Sequence, residues 1–162
     1  MVYIVLSSML IAVTAVAVFM PRIPASLFSY CAMWMALAGG VAYFSAETMV
    51  FWGVATILTL GINWMLPRHI WRATVGLPFM AVGGIAGMAV GAVLNTMAAI
   101  ILGTALGCLF GAVAYANTRA GRAVMTFPSK QFFNYLAAKG LPIVVALSMA
   151  GAVLVQFVQS QS

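Results

Sequence analysis

Few residues in this chain could do chemistry. Among its 162 residues there is one acidic residue, Glu47, one histidine, His69, and two cysteines, Cys31 and Cys108. General acid–base catalysis needs a titrating group, and nucleophilic catalysis needs a nucleophile with a base beside it. Glu47 and His69 are expected at opposite membrane surfaces, and both cysteines are interpreted as small buried apolar residues. The sequence therefore predicts a protein that is not an enzyme and has no cofactor and no metal site.

Polar residues inside the apolar segments are few and uncharged. Asn63 is the intramembrane polar residue whose amide most needs a partner, because a buried amide without one is costly. The hydroxyl side chains can bond to carbonyls of their own helix, and they are Ser7, Ser8, Thr14, Ser29, Thr56, Thr59, Thr104 and Ser148. No ionisable residue is expected at mid-depth, which disfavours proton-coupled transport. Passive transport, lipid handling and subunit packing remain open.

Glycines recur four residues apart in two neighbouring apolar segments. The first ladder consists of Gly83, Gly87 and Gly91, and the second consists of Gly103, Gly107 and Gly111. Residues four apart share a helix face, and small residues let two helices approach closely in lipid. The intervening Asn95 and Thr96 predict a tight antiparallel hairpin in which the ladders pack together. The alternative is that at least one ladder faces a second copy or another subunit.

The basic residues predict the orientation in the membrane. They fall between alternate apolar segments, and they are Arg22, Arg68, Arg72, Arg119, Arg122, Lys130 and Lys139. Cytoplasmic loops collect Lys and Arg, so this face is expected in the cytoplasm, against anionic lipid headgroups, with both termini outside. The net charge is +6, but the cations are scattered over three short loops. Nucleic-acid binding is therefore not expected.

The composition predicts an all-α polytopic integral membrane protein. The chain is 65% apolar and 5% charged, whereas soluble domains average about 25% charged residues. At about 20 residues per span, residues 1–162 form a single transmembrane domain of about six helices, with the glycine hairpin as the fourth and fifth. The expected spans are Val2–Phe19, Ala25–Phe44, Met49–Leu66, Val75–Leu94, Met97–Ala116 and Leu141–Val158.

The segment 128–139 is predicted to be a short interfacial amphipathic helix on the cytoplasmic surface. Phe132, Phe133 and Leu136 are taken as its membrane-facing side chains, with Lys130 and Lys139 reaching anionic headgroups. Gly140 is expected to end this helix as a C-cap. The alternative is that the aromatic face docks a partner subunit.

Three features of the chain resemble a known family. A proline-containing turn, Pro21 to Ala25, follows the first segment, a glycine ladder follows the basic loop, and Gly107 to Ala112 stands where a second ladder is expected. In order and spacing, the chain resembles the domain-of-unknown-function family numbered 456, which consists of small glycine-zipper proteins of the bacterial inner membrane. The resemblance implies a multi-spanning inner-membrane protein and supplies no reaction.

The chain departs from that family at two positions. Asn63 and Trp64 stand where the family tends to carry an Asp-Tyr pair, and Ala116 or Asn117 stands where it tends to carry a glutamate. Any chemistry done by those acids would be absent here. The leading hypothesis is a self-associating packing module or a small subunit of a larger membrane assembly. The alternative is a passive small-solute transporter, channel or lipid-handling protein with its path along the zipper helices.

Overall fold

The described part of the chain is built from helices alone. The computed structural model describes residues 2–20, 23–65 and 76–160, the side chains of 63–65 excepted, and contains no strand in these ranges. The all-α prediction is therefore confirmed. Arg22, Arg68, His69 and Arg72 lie outside the described residues, as does the side chain of Asn63. The helices are α1 (Val2–Ala17), α2 (Ala25–Ala38), α3 (Ala46–Met65), α4 (Leu77–Val93), α5 (Met97–Ala116), α6 (Arg119–Val124), α7 (Lys130–Tyr135) and α8 (Leu141–Gln159).

Helix α2 ends well before the predicted Phe44. Gly40 has a φ of 66°, a left-handed conformation that glycine adopts at little steric cost. The Val41 N–H then bonds back to the Ala36 carbonyl at 3.1 Å, which satisfies a carbonyl in the last turn of the helix. The residues that follow are not helical until α3 begins at Ala46.

Side-chain hydroxyls cap the starts of α3 and α5. The Ser45 hydroxyl accepts the Thr48 N–H at 3.2 Å, so α3 begins before the predicted Met49. The Thr96 hydroxyl accepts the Ala99 N–H at 3.2 Å, and α5 has the predicted bounds. Such caps satisfy amide groups that have no partner inside the first helical turn.

The predicted break at Gly140 is wrong. Gly140 has a helical φ of −72° and ψ of −42°, and one continuous helix runs over Lys130–Gln159. Its two α-helical parts, α7 and α8, are joined by a π-helical turn, Leu136–Gly140. Pro142 follows directly, and proline in a continuous helix lacks an N–H and crowds the carbonyl four residues earlier. A wider π turn just before Pro142 changes the local hydrogen-bond register and relieves this conflict.

Helix α8 is the centre of the bundle. It packs against each of α1 to α5, and α4 and α5 form the most extensive helix pair. The bundle has two ends. The Asn95 end carries the turn between α4 and α5 and the end of α8, where Gln159 bonds to Asn95 at 2.9 Å. The opposite end, here the Lys139 end, carries the starts of α4 and α8.

The side chains are distributed with small and hydroxyl groups inside and large apolar groups outside. In α1, Ser7 and Thr14 are fully buried, whereas Val5, Met9 and Val16 are exposed. The same holds in α3, α4 and α5, whose exposed residues include Phe51, Ile57, Val82, Val90, Leu102 and Phe110. A soluble protein buries such side chains. A large exposed apolar surface marks an interaction with lipid or with another protein.

Two helices are long and apolar enough to cross a bilayer. They are Met97–Ala116 and Lys130–Gln159, and four shorter apolar helices, of 10–17 residues in the described ranges, accompany them. The two long helices point weakly to membrane association.

Candidate functional site: the glycine hairpin and its surroundings

The two glycine ladders face each other within the chain. A Cβ atom added at Gly87 would collide with the Gly103 carbonyl oxygen, and one added at Gly83 would collide with that of Gly107. The reverse additions, at Gly103 and Gly107, meet the carbonyls of Gly87 and Gly83. The contact is therefore backbone against backbone, which only glycine permits at this separation.

The register of the hairpin is set by its turn. Asn95 has a φ of 54°, in the left-handed region that asparagine tolerates better than most residues. Moving away from the turn, every fourth residue of α4 faces every fourth residue of α5. Gly91 therefore packs on Ala99 near the turn, and Gly111 packs on Phe79 at the far end of the hairpin. A partner chain must therefore contact a face of the hairpin other than the one that the ladders share.

An apolar groove of about 640 Å³ runs along the outer side of the hairpin. Small residues form its floor, including Gly83, Ala86, Gly87 and Gly111. Phe79 and Phe110 also line it, and both rings are exposed. Every residue that lines the groove is apolar, so it suits lipid chains or an apolar helix surface and offers no hydrogen bond.

Buried hydroxyl groups join the helices on the other side of α8. The Ser29 hydroxyl donates to the Ala146 carbonyl at 2.8 Å, and its oxygen lies 3.2 Å from the Thr14 hydroxyl oxygen. These contacts link α2 to α8 and α1. Ser7 donates to the Ala32 carbonyl at 3.0 Å. Bonds of this kind hold helices together where apolar attraction is weak.

The prediction that the hydroxyls bond within their own helices holds for five of them. Ser8, Thr14, Thr56 and Thr104 donate to the carbonyl four residues earlier, and Thr59 donates to the carbonyl three residues earlier. For Ser7 and Ser29 it is wrong, because each lies where another helix supplies the acceptor.

Two further serine hydroxyls, those of Ser148 and Ser26, differ from the sequence-based expectation. The Ser148 hydroxyl has no partner among the described residues. Sequence reasoning missed Ser26, which shares a 3.2 Å hydrogen bond with Thr59. Ser26 lies three residues before Ser29, so both are on one face of α2. This spacing is the sequence signal that indicates a polar contact at Ser26.

The described basic residues lie at the Lys139 end, opposite Glu47. Arg119, Arg122 and Lys130 are exposed there. Lys139 is only 5% exposed and lines a small hollow with Ala17, among other residues. Lys139 is thus buried, unlike the other described basic residues, and its contact with the headgroups stays a prediction.

The three predicted interfacial residues do not share a surface. Phe132 is fully buried, Phe133 is 53% exposed, and Leu136 is partly buried against the core. Phe132 and Tyr135 lie three residues apart on the face that packs on the bundle. Adjacent residues of a helix point about 100° apart, so Phe133 points away from that face.

The two cysteines differ in their surroundings. Cys108 is buried, and its thiol lies 3.5 Å from the Met80 carbonyl oxygen. Cys31 is exposed, so its interpretation as a buried apolar residue is wrong. Both thiols are free, and no group of three or more His, Cys, Asp or Glu residues gathers within the described ranges.

The chain was compared with known proteins by sequence and by structure. No family model, no curated protein and no solved structure matches it. The resemblance to family 456 therefore stays a prediction.

Proposed function

We propose that this chain is a non-catalytic, multi-spanning protein of the bacterial inner membrane that acts as a self-associating packing module. The observation that carries the proposal is the glycine hairpin together with the groove on its outer side. The large apolar side chains that point outward support a lipid environment for the six apolar helices, α1 to α5 and α8. The helices of 14–17 residues would span about 21–26 Å at 1.5 Å per residue, which requires some local thinning of a bilayer core about 30 Å thick.

The proposed orientation places the Lys139 end in the cytoplasm and both termini outside. It is supported by Arg119, Arg122 and Lys130, which are exposed at that end. Translocation disfavours Lys and Arg in short loops, whereas acidic residues contribute little to orientation.

This orientation can be tested by labelling from each side of the membrane. In a variant with Cys31 and Cys108 replaced by alanine, Arg122→Cys is expected to react with a membrane-impermeant maleimide only from the cytoplasmic side. Glu47→Cys is expected to react only from the outside, because the two positions lie at opposite ends of the bundle. Labelling of both positions from one side would contradict the spanning arrangement, and exchanged sides would contradict the orientation.

The proposed partner is a second copy of this chain. The same face of the hairpin carries both a groove and two exposed aromatic rings, Phe79 and Phe110. A two-fold axis brings identical faces together, so each copy can place a ring against the small-residue floor of the other. Small-residue surfaces are the usual helix-packing sites in lipid. A larger assembly with another protein is the alternative occupant.

Ala86→Trp is expected to abolish self-association, because Ala86 lines the groove and is exposed, so that a large ring there would fill the groove. The matched control is Ala89→Trp, on the same helix, exposed, and outside the groove. Native mass measurement in lipid nanodiscs or mild detergent should give a dimer for wild type and Ala89→Trp and a monomer for Ala86→Trp. A dimer of Ala86→Trp, or a wild-type monomer, would refute the proposal. A stoichiometric second protein lost only from Ala86→Trp would favour the larger assembly.

Passive transport along the zipper helices receives less support from the geometry. Backbone atoms fill the space between the ladders, so α4 and α5 leave no path between them. Lipid handling would use the outer groove, and the same Ala86→Trp variant would block it.

A further inference from the structure

A polar cavity of about 230 Å³ opens at the Asn95 end of the bundle. It lies between the starts of α3 and α5 and the end of α8, away from the groove of the hairpin. Seven hydrogen-bonding side chains line it, and they are Tyr43, Ser45, Thr48, Asn95, Thr96, Gln156 and Gln159. Apolar residues of α5 and α8, such as Ile100 and Ala152, line it as well.

The lining of this cavity is polar and uncharged. Its side chains are hydroxyls and carboxamides, and each of these groups can both donate and accept hydrogen bonds. No Asp, Glu, Lys, Arg or His is among the residues that line it. A charged solute would lose its hydration there without gaining an opposite charge. A solute with several hydroxyl groups would find complementary donors and acceptors.

The starts of α3 and α5 do not turn the cavity into an anion site. Their N-terminal dipoles favour negative charge, but Glu47 lies in the first turn of α3 and lines an adjoining hollow together with Thr48. Its carboxylate offsets the positive helix ends. The Ser45 and Thr96 hydroxyls also accept backbone N–H groups of their own helices.

The size and the aromatic rim of the cavity restrict the solute further. The volume is below the range of about 300–1,000 Å³ typical of drug-sized sites and holds roughly eight water molecules at about 30 Å³ each. Tyr43 and Phe44 contribute aromatic side chains to the lining, and ring faces pack well against the C–H face of a small sugar or polyol.

The walls of the cavity are held in place before any ligand arrives. The Gln159 amide donates to the Asn95 side-chain oxygen at 2.9 Å, which joins the hairpin turn to the end of α8. The Ser45 and Thr48 hydroxyls lie 2.8 Å apart. Preorganised groups lose less freedom on binding. Gln156 lies three residues before Gln159, one helical turn deeper along α8.

We propose that this cavity binds a small uncharged polyhydroxylated solute, a polyol or a monosaccharide, at the membrane face that carries Asn95. The site uses residues of α3, α5 and α8 and none that line the groove of the hairpin. It therefore goes beyond the packing function, and Ala86→Trp is expected to leave solute binding unchanged.

The test is ligand-observed NMR on the full-length protein with glycerol, glucose and gluconate as probes. The protein is held in phospholipid nanodiscs, because sugar-headed detergents would compete for the site. Saturable binding of glycerol or glucose is expected, with gluconate at least about tenfold weaker, since its carboxylate has no positive partner. No saturable binding of either uncharged probe, or equal binding of gluconate, would overturn the proposal.

Substitutions locate the site on the protein. Gln156→Leu, which keeps the approximate volume and removes the amide, is expected to weaken binding by about tenfold, as loss of a hydrogen bond predicts. Thr48→Val is a second variant with the same expectation. Gln131→Leu, an exposed glutamine at the opposite end, is the matched control and should bind as wild type. Wild-type affinity in folded Gln156→Leu or Thr48→Val protein would refute this location.

Discussion

Gly87→Ala and Gly107→Ala are each expected to lower the free energy of unfolding by about 1–3 kcal/mol, the usual cost of overpacking. A single methyl group at either position would collide with a backbone carbonyl of the facing helix. A carbonyl cannot rotate away as a side chain can, so the two helices must separate along the ladder. This loss should exceed the gain of up to about 1 kcal/mol that alanine brings to a helix.

The matched control is Gly61→Ala in α3. A Cβ atom at Gly61 meets nothing within 4 Å, so this variant receives the helix-propensity gain without the collision. Thermal unfolding of each protein in the same mild detergent measures the difference. If Gly87→Ala unfolds at the same temperature as Gly61→Ala, α4 and α5 are not in backbone contact.

Phe132→Ala is expected to lower the free energy of unfolding by about 3–5 kcal/mol, the range for removing a fully buried phenylalanine ring. Phe132 is completely buried, and its ring centroid lies 5.0 Å from that of Phe127. The truncation would leave a cavity where α7 meets the bundle. Unfolding by denaturant in mixed micelles, followed by tryptophan fluorescence, is the measurement.

Phe133→Ala provides the comparison within the same helix. Phe133 is 53% exposed, and its ring makes an edge contact with Phe132. Its truncation should cost less than about 1 kcal/mol, as for a residue with few buried contacts. Equal losses for the two variants would instead support one shared interfacial face, as the spacing of the aromatic residues alone suggests.

The hairpin could be predicted from sequence because its determinants are local. The spacing of the glycines defines a helix face, and Asn95 with Thr96 supplies a residue that tolerates positive φ and a residue that caps the next helix. These signals predicted the bounds of α5. The Gly39–Gly40 pair is an equally local signal for the end of α2, but the apolar residues after it predict a continuation of the span.

The errors at the other end of the chain come from tertiary packing. The residues around Phe132 and Phe133 show only two adjacent apolar side chains. They do not reveal that one helix continues from α7 through Gly140 into α8, which determines the direction in which each ring points. The burial of Lys139 has the same origin, because its environment is supplied by distant residues such as Ala17 and Leu77. The interhelical bonds of Ser7 and Ser29 also depend on which helices become neighbours, and the sequence alone does not contain that information.

The central place of α8 has a consequence for the order in which the protein can assemble during synthesis. The hairpin of α4 and α5 involves neighbours in sequence and can close as soon as both helices have left the ribosome. The Ser29 hydroxyl in α2 instead finds its acceptor at Ala146, more than a hundred residues later. The bond between α2 and α8 therefore forms only once α8 has been synthesised, whereas Ser7 and Ser26 find their partners within the first three helices. In the bilayer arrangement that we propose, a chain that stops before α8 would leave the Ser29 hydroxyl without its carbonyl acceptor, and an unmatched polar group inside a bilayer is costly.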